Sequence, residues 1–335
     1  MRHYSLHRFL ALLLMAVCSK TLSMAQNVAK FGSTEYATLQ EVVNSVAQGG
    51  KGYIYILADA TFDKLSIDGK QIIINLQTHT VNGNDIAVNG VDKIETYLKI
   101  LDAKAKGLSV DKTNNYKVSY TTSGTLELTG SISAYNGACI KVESGTVAST
   151  KDVAFFAIGD ITGQKDIASS VEITGGYVKA QECCASPQGR GATVTINGSA
   201  VLESLDNAVV AGNGTKGMGG TTINISGGTL TANPYDATSA ACGIYHPNEG
   251  TLTITGGTYS SDVSKYCVDS FTSPPPNADG TYGICAVGDM MIVYDKSYAD
   301  ACFFVFIVVS TSLATKTELF INDDYHCFNN SHRPS

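Results

Sequence analysis

The run Tyr245-His246-Pro247-Asn248-Glu249 is the most site-like stretch of the chain. It sets an aromatic ring, an imidazole, an amide and a carboxylate at one corner. A ring covers the apolar face of a sugar, and polar groups satisfy its hydroxyls. Tyr245, His246, Asn248 and Glu249 are therefore the candidate ligand-binding residues, and glycans the ligand class. The competing reading is a plain turn, because Pro-Asn-Glu-Gly is turn chemistry.

Elsewhere the residue types that do chemistry are scattered. Arg190 sits in Gln188-Gly-Arg-Gly191, between two predicted strands, and reads as a loop arginine. Lys141 and Lys179 have no feature that singles them out. His79 stands in a Thr-His-Thr strand context and reads as a structural partner. Asn322-Asp-Asp-Tyr-His326 could ligate a metal on paper, but it lies in an unpatterned tail. The loop Gly212 to Gly220 is glycine-rich, yet it lacks the strand–loop–helix setting and spacing of a phosphate loop. No catalytic residue, metal ligand or cofactor is assigned.

The elements that must carry these residues are short and repeated. Val171-Glu-Ile-Thr-Gly175, Val194-Thr-Ile-Asn-Gly198, Ile223-Asn-Ile-Ser-Gly227 and Leu252-Thr-Ile-Thr-Gly256 start 23, 29 and 29 residues apart. Leu126-Glu-Leu-Thr-Gly130 shares the pattern. A second short strand follows each, as at Tyr177-Val178, Ala200-Val201, Thr229-Leu230 and Thr258-Tyr259. Repeats of this length built from short strands mean a solenoid, whose units share one core by stacking. Alternation sends Leu252 and Ile254 inward and Thr253 and Thr255 outward. The glycine pairs supply the corners. A further slot aligns Cys183-Cys-Ala-Ser-Pro187 with Gly243-Ile-Tyr-His-Pro247, and predicts that Cys184, Ile244, Ile284 and Ile140 stack inward.

At the N-terminal end, Thr38-Leu-Gln-Glu41 is a capping box. Leu39, Val42, Val43 and Val46 follow at helical spacing and Gly49-Gly50 ends the run, which predicts a capping helix over 38–48. Strands follow at Tyr53 to Leu57, Leu65 to Ile67 and Ile72 to Leu76. A lid of this kind covers strand edges that would otherwise recruit other chains.

Phe31-Gly-Ser-Thr-Glu-Tyr-Ala-Thr-Leu-Gln-Glu41, the strand after it, Ile67-Asp-Gly-Lys70 and Leu76-Gln-Thr-His-Thr80 resemble the opening of right-handed parallel β-helix proteins of the pectin-lyase-like fold. More narrowly they resemble exported, adhesin-like proteins of gut bacteria, of the Bacteroidetes. Gly257 to Tyr266 and Asn277 to Tyr282 resemble that group's closing segment. The resemblance spans about residues 27 to 287. Its motifs are specific for architecture and weak for activity, since fold alone does not carry function.

Enzymes of this fold include lyases, which need calcium-binding carboxylates beside a basic residue, and hydrolases, which need paired carboxylates. The outward column read from the repeats is Glu127, Glu172, Thr195, Asn224 and Thr253. Its neighbour is Thr129, Thr174, Asn197, Ser226 and Thr255. Both form a hydroxyl and amide ladder with two acids at one end, not an acidic cluster.

Composition agrees. Of 335 residues 44% are hydrophobic and only 16% charged, with 33 glycines and no tryptophan. Helical bundles and coiled coils run on Ala, Glu, Lys, Leu and Arg, so they are excluded. Residues 1–25 read as a signal peptide, with a basic start, the apolar run Phe9 to Cys18 and Ser23-Met-Ala25 before the cleavage point. That run is about half the ~20 residues of a membrane span. Lipidation at Cys18 is disfavoured, because Val17 is not small. Losing Arg2, Arg8 and Lys20 leaves 20 basic against 30 acidic residues, which argues against nucleic acid as a partner.

Eight cysteines remain in the mature chain. Their even number in an exported protein admits disulfides. Their repeat positions favour buried thiols at Cys139, Cys184 and Cys242.

The sequence therefore predicts an all-β, right-handed parallel β-helix with a short N-terminal capping helix. Residues 26–287 form the solenoid of about ten coils. Residues 288–335 are an atypical tail, read as one added strand or cap followed by disorder, or as a reading-frame extension. The expected protein is secreted or held at the bacterial cell surface, has no membrane span, and is non-enzymatic and adhesin-like. Its expected partners are glycans or host surface proteins. The rivals are a polysaccharide lyase or glycoside hydrolase of the same fold, and a structural fibre module.

Overall fold

A computed structural model describes residues 26–212, 220–233, 241–246, 250–266, 282–287, 290–295 and 327–328. The signal-peptide reading of residues 1–25 lies outside them. The described chain is a parallel β-helix. Three sheets run along the solenoid, and the chain visits them in turn. The first face takes strands such as Lys51–Ile56, Cys139–Val142, Ser170–Ile173, Thr193–Ile196, Thr221–Ile225 and Gly250–Ile254. The second takes Thr125–Leu128, Thr146–Ser149, Tyr177–Ala180, Val201–Ser204 and Thr229–Ala232 among others. The third runs from Lys64–Asp68 to Asp262–Tyr266 and has eight strands. Eight coils are therefore described where about ten were expected, and at about 4.8 Å per coil they make a rod of roughly 40 Å.

Alternation works as the repeats require. On the first face Ile54, Ile74, Ile100, Val142, Ile173, Ile196, Ile225 and Ile254 form one inward column, all in register and all buried. Val171, Val194, Ile223 and Leu252 form the column beside it. On the second face the inward column is Val81, Leu126, Val147, Val178, Leu202, Leu230 and Tyr259. Hence Leu126-Glu-Leu-Thr-Gly130 belongs to the second face, although its pattern matches the first-face repeats. Five residues of alternating polarity fit any face of the solenoid, and only the neighbouring strand decides which. For the same reason Val201 aligns with Tyr177, and Leu202 with Val178.

The third slot needs more correction. Ile244 stacks on Val210, Ala185, Phe155, Ile132, Ile86 and Leu65. Cys184 is buried but stands one residue before that column. Ile140 lies on the first face, paired to Leu98 and Val171. Ile284 lies in an antiparallel hairpin, opposite Val293.

Both ends leave the parallel pattern. At the start, Ala29–Phe31 and Thr34–Tyr36 form a hairpin that pairs antiparallel with Lys51–Ile56. Helix α1, Leu39–Ser45, follows with its capping box made. Glu41 N donates to Thr38 Oγ1 at 3.2 Å, and Thr38 N donates to Glu41 Oε2 at 3.0 Å. Leu39, Val42 and Val43 pack into the core. The helix also finishes an open strand edge. The Gln40 amide takes the place of a neighbouring strand, donating to Ser66 O at 3.1 Å and accepting from Ser66 N at 2.9 Å. At the far end, Tyr282–Val287 and Met290–Asp295 form a hairpin on the edge of the second face, and Cys327–Phe328 pairs with it. Among the described residues, Met290–Asp295 and Cys327–Phe328 are the strands beyond residue 287.

The corners depend on glycine where φ is positive and backbone passes close by. At Gly176 φ is +78°, and a Cβ there would sit 2.7 Å from Gly145 O in the coil below. Gly176→Ala should destabilise the protein by about 1–3 kcal/mol, read as a lowered thermal midpoint, because neither the turn nor the stacked backbone can yield.

Candidate functional site

The first face presents its outward residues in columns that run along the rod, with successive members about 4.8 Å apart. Its central column runs Tyr53, Ile73, Lys99, Lys141, Glu172, Thr195, Asn224 and Thr253. The next column contains Tyr55, Asn75 and Leu101, and farther along Thr174, Asn197, Ser226 and Thr255. A third begins the strands, with Thr193, Thr222 and Thr251. The face therefore changes character along its length. It is aromatic at the first coil, charged in the middle, and hydroxyl- and amide-bearing over the last three coils.

The charges in the middle are paired. Lys141 Nζ lies 3.3 Å from Glu172 Oε2, and Lys99 meets Glu143. At the aromatic end the Tyr53 and Tyr55 rings lie 4.8 Å apart, and Lys30 Nζ sits 5.2 Å from the centre of the Tyr55 ring. Asn75 donates to the Tyr53 hydroxyl at 3.0 Å.

Glu127 and Glu172 do not share a column. Glu127 lies on the second face, level with Asn82 and Ala148, while Glu172 is on the first. Thr129 likewise leaves the second-face strand, so it does not join Thr174. The two acids at one end of a ladder are thus separated onto different faces.

A cluster that sequence reasoning missed lies on the second face. Glu203, with its side chain 14% exposed, accepts from the Tyr177 hydroxyl and from Asn233 Nδ2 at 3.3 Å, and stands 3.6 Å from Lys179 Nζ. Burial, reinforced by the Glu203 carboxylate, pushes the Tyr177 hydroxyl well above its ordinary pKa. The donors come from coils on both sides of Glu203, so the acid clasps three successive coils. The signal was the acid at the third position of Val201-Leu-Glu-Ser204, an outward place in a predicted strand.

Tyr245 and His246 end the third-face strand Cys242–His246, where Tyr245 is half-buried and level with Ala211 and Lys265. Of His246 only this strand position is described. Asn248 and Glu249 lie outside the described residues, as do Asn322 to His326 and most of the Gly212–Gly220 loop. How the four candidate ligand residues are arranged as a group therefore lies outside the described residues.

The remaining residues have local partners. Arg190 Nε donates to Asp166 Oδ1 at 2.7 Å, in the loop between Ala185–Gln188 and Thr193–Ile196. His79 Nδ1 lies 3.5 Å from Asp59 Oδ1. Cys139, Cys183, Cys184 and Cys242 are thiols, the last three buried. Burial pushes the Cys183 thiol up to about 12 and raises those of Cys184 and Cys139. Cys183, Cys184 and Cys242 sit where a thiol packs as a small apolar group. Among the described residues no group of three or more His, Cys, Asp or Glu could hold a metal ion, and no helix is long and apolar enough to cross a membrane.

Asp160 organises the loop after the third-face strand Phe155–Ile158. Its carboxylate accepts from Thr162 Oγ1 at 2.6 Å, and from the backbone N–H groups of Thr162, Gln164 and Lys165 at 2.9, 3.1 and 2.9 Å. Those bonds, led by the Thr162 hydroxyl, lower its pKa from 3.8 to about 2. A depressed carboxylate stabilises the fold above its unfolded pKa and stops doing so as pH falls through the folded value. Amide NMR signals of Thr162, Gln164 and Lys165 should therefore hold steady down to pH 3.8 and shift as the pH approaches about 2.

No family model, no curated protein and no solved structure matches this chain.

Proposed function

We propose that the protein is exported and non-enzymatic, and that it acts in adhesion by laying its first face along a glycan or a host surface protein. The observation that carries this reading is the polar array on the last three coils. Thr193, Thr195 and Asn197 are followed one coil on by Thr222, Asn224 and Ser226, then by Thr251, Thr253 and Thr255. Every side chain in it is uncharged and can donate or accept hydrogen bonds. Such a surface suits a neutral, hydroxyl-rich polymer, and the tyrosines at the other end offer rings for apolar sugar faces.

The test is binding of the mature protein to a panel of glycans and host matrix proteins. Saturable binding that falls at least tenfold in a Thr195→Val/Asn224→Ala/Thr253→Val variant is expected, with unchanged thermal stability. Incubation with polygalacturonate and calcium should release no unsaturated ends. Release of such product would establish a lyase instead, and silence across the whole panel would leave the structural fibre module.

A further inference from the structure

Asparagine is followed by glycine at Asn82-Gly83, Asn89-Gly90, Asn136-Gly137, Asn197-Gly198 and Asn213-Gly214, and the last of these pairs lies outside the described residues. In such a pair the glycine backbone nitrogen can attack the asparagine side-chain carbonyl carbon, because glycine has no side chain to block the approach. We propose that Asn197 is a deamidation site, the first of the four described pairs to convert in the folded protein, and that its conversion sets a carboxylate on the first face. This inference is independent of the adhesion reading.

The fold selects the site through the attacking N–H. Gly83 is a ladder residue of Thr80–Gly83, in register with Leu128, and bonds from Phe62 N to Asn82 O and from Thr129 N to Gly83 O flank it, both at 2.9 Å. Gly90 N donates to Tyr135 O at 2.9 Å, and Asp68 holds the Asn89 side chain at 2.6 Å. Gly137 N donates to Ser169 Oγ at 3.0 Å. Gly198 is exposed, and its N–H has no acceptor among the described residues.

The corner after the strand Thr193–Ile196 leaves this one peptide group loose. Asn197 N donates to Ile173 O at 3.0 Å and Ser199 N to Thr174 O at 3.1 Å, so the bonds to the coil below fall on either side of Gly198 N. Asn197 is half-buried, and its side-chain nitrogen donates to no described residue. The carbonyl carbon is therefore free to turn toward the backbone nitrogen. A nitrogen tied in a hydrogen bond must first break it, which slows attack by about two- to tenfold for one ordinary bond.

The reaction consumes one water and releases one ammonia, with no change of oxidation state. Hydroxide takes the Gly198 amide proton, and the nitrogen forms a bond to Asn197 Cγ. The side-chain carbon–nitrogen bond breaks, and that nitrogen leaves as ammonia with protons from water. Water then opens the cyclic imide at either carbonyl carbon, giving aspartate or isoaspartate. Position 197 follows Thr174 and precedes Ser226 in its outward column, with Thr195 and Asn224 in the column beside it. The new charge thus enters a surface whose other members are uncharged.

The experiment is timed peptide mapping by mass spectrometry of the folded full chain, held at mildly alkaline pH. The peptide containing Asn197 should gain about one mass unit first, with Asn136 slower by about two- to tenfold and Asn82 and Asn89 slower still. Conversion led by Asn82, Asn89 or Asn136, or none at Asn197, would overturn the assignment. In urea the four pairs should convert at similar rates, because their local sequence is the same. The native order persisting in the unfolded chain would mean that the fold does not select the site. Ser169→Ala frees Gly137 N and should speed Asn136 alone by about two- to tenfold. An unchanged Asn136 rate in that variant would overturn the hydrogen bond as the cause. Asn197→Gln should remove the earliest acidic species in isoelectric focusing of aged protein, and its persistence would likewise overturn the assignment.

Discussion

Phe155→Ala should lower the stability by about 3–5 kcal/mol, the range for removing a buried aromatic ring. Phe155 is fully buried. It stands in the inward column of the third face between Ile132 and Ala185. Its register neighbour Ala185 is small, and the adjoining inward pair is Ala134 and Ala157. The ring therefore fills space that none of these methyl groups can reach, and the alanine variant leaves a cavity with little to collapse into it. Phe156 is the internal control. It is the next residue, half-buried on the outward side of the same strand. Phe156→Ala should remove about 1–2 kcal/mol, in proportion to its smaller buried area. Urea unfolding of both variants measures the difference. Equal losses would mean that the strand's inward and outward sides are assigned incorrectly.

Asp102→Ala should destabilise the protein by about 3 kcal/mol or more, since it strands several buried donors at once. Asp102 is 2% exposed. Its carboxylate accepts from Lys104 N at 2.8 Å, from Thr78 N at 3.2 Å and from Gly124 N. Lys104 and Gly124 are the two ends of the insertion that carries the hairpin Ser109–Asp111 and Lys117–Ser119. Thr78 is held at φ 72° beside Gln77 at 52°, a left-handed turn that a non-glycine residue adopts only when its neighbours enforce it. One carboxylate thus fixes the base of the insertion and the strained corner of the coil below. Asp102→Asn keeps an acceptor and the side-chain volume, so it should recover part of the loss. Asp111→Ala, at the exposed tip of the hairpin, should change stability by under about 0.5 kcal/mol. Thermal denaturation of the three variants gives the ranking.

The same insertion explains an irregular repeat. Ile100 pairs with Val142, 42 positions on, whereas Val194 pairs with Ile223 after 29. A coil tolerates an excursion of this size at a corner if its two ends are pinned together. Long loops add little closure entropy once the ends are held.

Much was legible before the fold was known. Val171, Val194, Ile223 and Leu252 announce stacked coils, because alternating apolar residues before glycine have one sheltered side and need neighbours to bury it. Thr38 and Glu41 announce the helix start, because a capping box is satisfied within four residues of sequence. Repeat position predicts buried thiols at Cys139, Cys184 and Cys242; Cys184 and Cys242 are buried, Cys184 one residue before the column predicted for it, and Cys139 is only half-buried.

What sequence could not decide was which strands are neighbours. Glu127 and Glu172 carry the same local pattern and lie on different faces, since a strand of five residues does not encode its sheet. Glu203 stands alone in sequence, yet partners arrive from the coils before and after it. Gln40 closes the edge of Ser66, which is 26 residues away. Local chemistry determines period, caps and corners, since these are settled within one turn of chain. Register between coils is settled by how side chains of unequal size share the core, and it is register that decides which polar groups stand side by side.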